Sequence, residues 1–185
     1  TEISGLLRPP KPMELIDKPA PKSLDELTVL VCGEPLVNRD EVGLHLKNLL
    51  EAGANVVVSV RPDASINTDE KIYSSYGLVP HSKLSLAYKN DAEILNKIDL
   101  VVGTYSTFLN EMLLLRKPVG LLETSLTHGH RLLEDNLALP LALGNYEPII
   151  EYIKTYQPEP RIEKSWPASP DFEEVIIERE LAQLK

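Results

Sequence analysis

The stretch Asp99 to Glu123, DLVVGTYSTFLNEMLLLRKPVGLLE, concentrates the residue types able to do chemistry. Gly103-Thr104-Tyr105-Ser106-Thr107 is a hydroxyl-rich turn between a short apolar run, Leu100-Val101-Val102, and an apolar segment from Phe108 to Arg116. The run fits a strand buried on both faces, and the segment fits a buried helix. Lys117-Pro118 ends that helix, and Val119 to Leu122 fits a second strand. Small hydroxyl residues at a helix mouth bring side-chain donors together with unbonded helix N–H groups, a favourable place for a phosphate. Ser106 and Thr107 are the leading candidates, with Thr104 beside them. The plain alternative is that Ser106 and Thr107 only cap the helix. One carboxylate, Glu111, sits a turn inside the helix: in a ligand contact, on an exposed strip of an otherwise buried helix, or paired with Arg61 or Lys117.

A strand–helix alternation positions this turn. Leu27 to Cys32 reads as a buried strand, followed by Gly33-Glu34-Pro35. Asn38 can cap a helix running to about Ala52, with Val42, Leu46, Leu49 and Leu50 inward and Gly53 closing it. Asn55 to Val60 is the second strand, ending in Arg61-Pro62-Asp63. Tyr76 to Val79 is expected as a short third strand and Ser85 to Lys97 as a helix with Leu86, Ile94 and Leu95 inward. After Leu122, a helix is expected over His128 to Leu137, a short strand near Leu141, and a helix from Tyr146 to Tyr156.

Such an alternation predicts an α/β fold, a doubly wound parallel sheet of the Rossmann-like kind. Ligands of these sheets sit beyond the carboxyl ends of the strands. The exits here are Gly33-Glu34, Arg61-Pro62-Asp63, Thr104 to Thr107, and Glu123-Thr124-Ser125. They supply a flexible glycine, a guanidinium, a hydroxyl-rich helix mouth and a carboxylate. Together they suit an anionic, hydroxyl-bearing ligand such as a nucleotide sugar. Glu34 has two readings, a sugar contact or a cap of the next helix.

Composition narrows the classes. The 185 residues suffice for one well-buried domain, and 43% hydrophobic with 25% charged residues is ordinary for a globular protein. A net charge of −9 argues against a general nucleic-acid binder. The lone Cys32 supports neither a disulfide framework nor a zinc site, and a reducing, cytoplasmic setting is expected. His128 and His130 are poorly spaced for a helical metal pair, while His45 and His81 read as structural or exposed. No metal or cofactor is implied. No apolar run approaches a membrane span, and Thr-Glu-Ile-Ser lacks the basic region and apolar core of a secretory signal.

Three segments are expected. Residues 1–26 carry Pro9, Pro10, Pro12, Pro19 and Pro21 and read as an extended arm or linker. Together with a first residue that is not methionine, they raise the expectation of a piece of a larger protein. Residues 27–156 form the Rossmann-like domain. Residues 157–185 hold a proline-broken stretch and an amphipathic helix over Asp171 to Leu184.

VVGTYSTFLNEMLLLRKPVGLL resembles the nucleotide-binding half of GT-B-fold glycosyltransferases, in the style of CDP-glycerol glycerophosphotransferases. Those show a strand, an Asp-Tyr-Ser-Ser-like turn, an apolar helix and a Lys-Pro before the next strand; Thr104-Tyr105-Ser106-Thr107 stands at that turn. VVVSVRPDAS resembles their Arg-Pro-His-Pro segment, with Arg61-Pro62 matching and Asp63 where a phosphate-contacting His is expected. Glu111, seven residues before Pro118, falls where related glycosyltransferases and UDP-sugar epimerases place a ribose-binding Glu. THGHRLLEDNLALPLALG is loosely similar to a later segment of those families.

The resemblance spans roughly residues 27–156. It implies the C-terminal, nucleotide-binding domain of a transferase for cell-surface polysaccharide, taking a nucleotide-activated sugar or polyol. The acceptor domain, which usually carries the catalytic base, would lie in a missing N-terminal domain or another subunit. Gly33, Glu34, Arg61, Thr104, Ser106, Thr107, Glu111 and Glu123 are the implied contacts. A UDP-sugar 2-epimerase relative shares the same pattern, and a noncatalytic Rossmann-like domain that assembles with other subunits is the reading from a different class.

Overall fold

The computed structural model describes residues 18–32, 39–60, 71, 73–75, 77–78, 80–88, 92–125, 127 and 130–158. Its strands are β1 (Thr28–Cys32), β2 (Asn55–Val60), β3 (Leu84–Tyr88), β4 (Leu100–Gly103), β5 (Val119–Leu122) and β6 (Leu139–Leu141). Its helices are α1 (Arg39–Glu51), α2 (Ala92–Lys97), α3 (Thr107–Leu114), α4 (Arg131–Glu134) and α5 (Pro148–Thr155). All six strands pair in parallel, in the order β3-β2-β1-β4-β5-β6. The four segments read as buried strands of a parallel sheet are therefore neighbours, at β2, β1, β4 and β5.

Continuous apolar runs form these central strands because both of their faces are covered. On one face Val29, Val31, Val56, Val58 and Val102 pack with Leu46 and Leu49 of α1 and Ile149 of α5. On the other, Leu30, Val101, Val119 and Leu121 pack with Leu95 of α2, Phe108, Leu109 and Met112 of α3, and Leu132 of α4. The sheet is thus doubly wound. Gly120 sits where β5 has no room for a side chain: a Cβ there would lie 2.8 Å from Leu141 Cδ1 and 3.2 Å from Val102 Cγ1.

Helix ends follow one chemistry. After α1, Gly53 at φ +95° lets its own N–H reach Leu50 O and the Ala54 N–H reach Leu49 O. After α3, Arg116 (φ 58°) does the same, with Arg116 N to Leu113 O and Lys117 N to Met112 O. Asn136 (φ 55°) repeats it after α4. In each case a left-handed residue satisfies the last carbonyls.

Three expectations are corrected. The third strand is Leu84–Tyr88, not Tyr76 to Val79, where Gly77 at φ +70° breaks any extended run. The helix expected from Ser85 accordingly shortens to α2, beginning at Ala92. LSLAY alternates, with Leu84 and Leu86 against the core and Ser85 exposed, which is a strand period of two. The helix expected over His128 to Leu137 shortens to α4.

The sheet's amino edge is held by polar contacts. Asp99 accepts the Thr28 N–H at 2.8 Å and pairs with Lys18 at 2.7 Å, while Lys18 also donates to Lys97 O. Lys117 donates to Ile98 O at 3.0 Å, and burial lowers its pKa. Residues 18–26 contain turns and no strand; Pro21 is buried and Leu24 packs on the core. The helix expected over Asp171 to Leu184 lies outside the described residues. No described helix is long and apolar enough to cross a membrane.

Candidate functional site

The chain winds outward in opposite directions from β1 and β4, so the opening between their carboxyl ends is the topological switch point. Cys32 ends β1 and Gly103 ends β4 there. A Cβ on Gly103 would stand 3.2 Å from Cys32 Cβ, so glycine lets the two strand ends approach closely. Beyond Gly103 the chain turns through Thr104 and Tyr105 into α3.

Ser106 is the N-cap of α3, in extended conformation (φ −114°, ψ 130°). Its hydroxyl oxygen accepts the Phe108 N–H at 3.3 Å, and its carbonyl accepts the Leu109 N–H at 3.1 Å. The helix mouth is therefore partly closed by its own cap, against the expectation of unbonded N–H groups there. Two donors are left by that geometry among the described residues: the Ser106 O–H proton, and the Thr107 N–H, which precedes any intrahelical acceptor. Thr107 is exposed and Ser106 half-buried, whereas Thr104 is only 1% exposed and is not presented to solvent. Glu111 is half-buried on the second turn of α3. Its suggested partner Lys117 instead serves the opposite edge of the sheet.

The electrostatics of the two helices at the switch point differ. The first turn of α1 carries Asp40 and Glu41, which complement the helix dipole and oppose an anion. The first turn of α3 carries no acidic residue. An anionic ligand at this edge is therefore favoured at α3 and disfavoured at α1. A dinucleotide held on the helix after β1, in the manner of G-x-G-x-x-G proteins, would meet two carboxylates.

The exit of β5 forms the second wall. Glu123 presents its side chain to solvent while its backbone is fixed: its N–H donates to Leu141 O and its carbonyl accepts from His45 Nε2 at 3.0 Å. His45, on α1 and 1% exposed, must carry its proton on Nε2 to serve that carbonyl, so its Nδ1 accepts from Tyr146 OH at 2.9 Å. Burial lowers the His45 pKa, against the opposing pull of the Glu123 carbonyl and of Glu123 and Glu41. Beyond Glu123, the buried Thr127 hydroxyl accepts the Thr124 N–H at 2.8 Å and donates to Thr124 O. Ser125 donates its N–H and hydroxyl to the Glu41 carboxylate. His130 closes the loop as the N-cap of α4, its Nδ1 accepting the Leu132 N–H at 3.1 Å.

This arrangement brings Ser106, Thr107 and Glu123 to one edge of the sheet. Gly33, Glu34 and Arg61 lie outside the described residues. Sequence reasoning did not single out Tyr105 or the Thr124–Thr127 pair as site residues. Tyr105 is 70% exposed beside the helix mouth, with its ring edge-on to that of His130 at 5.0 Å between centroids. The signal for the threonine pair was two hydroxyl residues three apart just after a strand, a pattern that bonds back on itself. No group of three or more potential metal ligands occurs among the described residues. No family model matches the chain, and no curated protein matches it.

Proposed function

We propose that this domain binds the nucleotide part of an activated sugar or polyol at the mouth of α3, as one half of a transferase in cell-surface polysaccharide synthesis. The observation that carries the reading is the contrast at the switch point: acidic residues in the first turn of α1, none in that of α3, and two hydroxyl residues opening α3. A diphosphate would receive the Ser106 O–H and the Thr107 N–H. The partial positive charge of the helix start would stabilise it as it departs from the sugar, which requires only fixed dipoles. Glu111 would hold the ribose diol and Glu123 would face the sugar or polyol. The acceptor and its catalytic base would come from a further domain or subunit.

The test is a thermal-shift panel of UDP, CDP, GDP and their sugars on the full chain. A ligand at 100 times its dissociation constant stabilises by about 2.7 kcal/mol, which is readily measured. Absence of any shift for the folded chain would abandon this reading for that of a noncatalytic assembling domain. Asp63, standing after Arg61-Pro62 where a phosphate-contacting His is expected, is the observation that favours this second reading.

A further inference from the structure

A large exposed aromatic ring beside a phosphate-favouring helix mouth calls for a physical account. Tyr105 is 70% exposed, yet it is not a loose side chain on a loop tip. It lies between Thr104, which is buried, and Ser106, the cap of α3, so both of its chain neighbours are fixed. The His130 ring stands against it at 72° between planes. His130 is itself fixed, because its Nδ1 caps α4 and its backbone N–H donates to Thr127 O. Two rings from different strand exits are thus braced at an angle, with most of the Tyr105 surface open. Edge-to-face pairing of this kind holds an aromatic ring in place while leaving a face free to stack.

The cap also sets the chemistry of His130. Since Nδ1 accepts a backbone N–H, the neutral ring carries its proton on Nε2. Burial lowers the His130 pKa and keeps that neutral form at physiological pH. Nε2–H has no partner among the described residues. The pair therefore offers a flat apolar face and, beside it, one hydrogen-bond donor with no acceptor among the described residues.

We infer that Tyr105 and His130 form the nucleobase subsite: the base stacks on the Tyr105 ring and a base carbonyl or ring nitrogen accepts from His130 Nε2–H. This rests on the reading that α3 takes the phosphates, and it specifies the ligand further. Uracil, cytosine and guanine each carry an exocyclic carbonyl; adenine carries none. Adenine offers ring-nitrogen acceptors in its place, so any base can satisfy the donor, and the subsite separates nucleotides from bare phosphate rather than one base from another. Stacking does not discriminate either, because every base has a π-face.

Calorimetric titration of the full chain with UDP, CDP, GDP, ADP and inorganic pyrophosphate tests this. Wild type should bind the nucleoside diphosphates about tenfold more tightly than pyrophosphate, the scale of one stacked base. Tyr105→Ala should weaken UDP about tenfold and leave pyrophosphate unchanged, as expected for loss of one stacking surface. The exposure of Tyr105 makes that substitution safe for folding. His130→Ser keeps an N-capping hydroxyl and should weaken UDP about tenfold while leaving pyrophosphate unchanged, the scale of one hydrogen bond. UDP affinity in Tyr105→Ala or His130→Ser within twofold of wild type, or equal affinity of wild type for UDP and pyrophosphate, would overturn the subsite. If UDP binding depends on Ser106 but not on Tyr105, the phosphate reading stands and the subsite falls. If the folded wild type binds none of these nucleotides, both fall.

Discussion

His45 on α1 donates from Nε2 to the carbonyl oxygen of Glu123 at 3.0 Å, joining two residues 78 apart in the chain at the mouth of the site. The bond requires a proton on Nε2, and Tyr146 OH then supplies Nδ1. A second proton on the ring would charge a buried group and turn Nδ1 from acceptor to donor. The folded pKa is lowered by burial, so the unfolded chain binds more protons on the acid side of neutrality. The stability from a neutral His45 is therefore fully present above the ordinary imidazole pKa of about 6.5 and declines as pH falls below it, until the lowered folded pKa is reached. His130 contributes with the same sign, also through burial. Urea denaturation between pH 5 and 8 should show wild-type stability falling on the acid side. His45→Gln should flatten that slope, and His130→Asn should flatten it less, in keeping with the shallower burial of His130. A wild-type profile rising toward pH 5 would contradict the tautomer assigned here.

The loop after β5 depends on one hydroxyl. Thr127 Oγ1 takes the Thr124 N–H at 2.8 Å and both residues are buried. Thr127→Val keeps the shape and strands that N–H, which should cost about 1–3 kcal/mol. Thr127→Ser restores the oxygen and should lie close to wild type. Chemical denaturation of the two variants decides the point; equal losses would assign the effect to packing.

Gly120 sets how closely β5 and β6 pack. A methyl group there meets Leu141 Cδ1 at 2.8 Å and Val102 Cγ1 at 3.2 Å, both in fully buried surroundings. Gly120→Ala should destabilise by about 1–3 kcal/mol, the range for overpacked cores. Combined with Leu141→Ala, which leaves a cavity of its own, the total loss should be smaller than the sum of the two single losses, because the nearer clash is removed. A double variant no better than the sum of the single ones would mean that the strands separate instead.

The sheet was legible in the sequence where burial on both faces makes long apolar runs. TVLVC, NVVVSV, LVVG and VGLL need no partner to be recognised. Leu84–Tyr88 was not, since it lies at the edge of the sheet and alternates, so Leu86 could be grouped with Ile94 and Leu95 on an imagined helix. The capping Ser106 was legible because a cap is local. The His45–Glu123 bond and the Tyr105–His130 pair were not, because they join segments brought together only by strand order.

The last prediction separates Ser106 the cap from Ser106 the ligand contact. Both roles use the same hydroxyl, so Ser106→Ala weakens both and cannot distinguish them. It should cost about 1 kcal/mol of stability by leaving the Phe108 N–H without its acceptor. Ser106→Asp behaves differently. Aspartate caps as well as serine and its charge favours a helix N-terminus, so stability should stay within about 0.5 kcal/mol of wild type. The same carboxylate would stand where the diphosphate is proposed to sit, with no proton to donate and a like charge to repel. Nucleotide affinity should then fall by more than about tenfold, on the scale of a lost charge-assisted bond. Thermal melting and calorimetric titration of one protein preparation read both quantities. A stable Ser106→Asp chain that still binds UDP as wild type does would remove the phosphate from the mouth of α3.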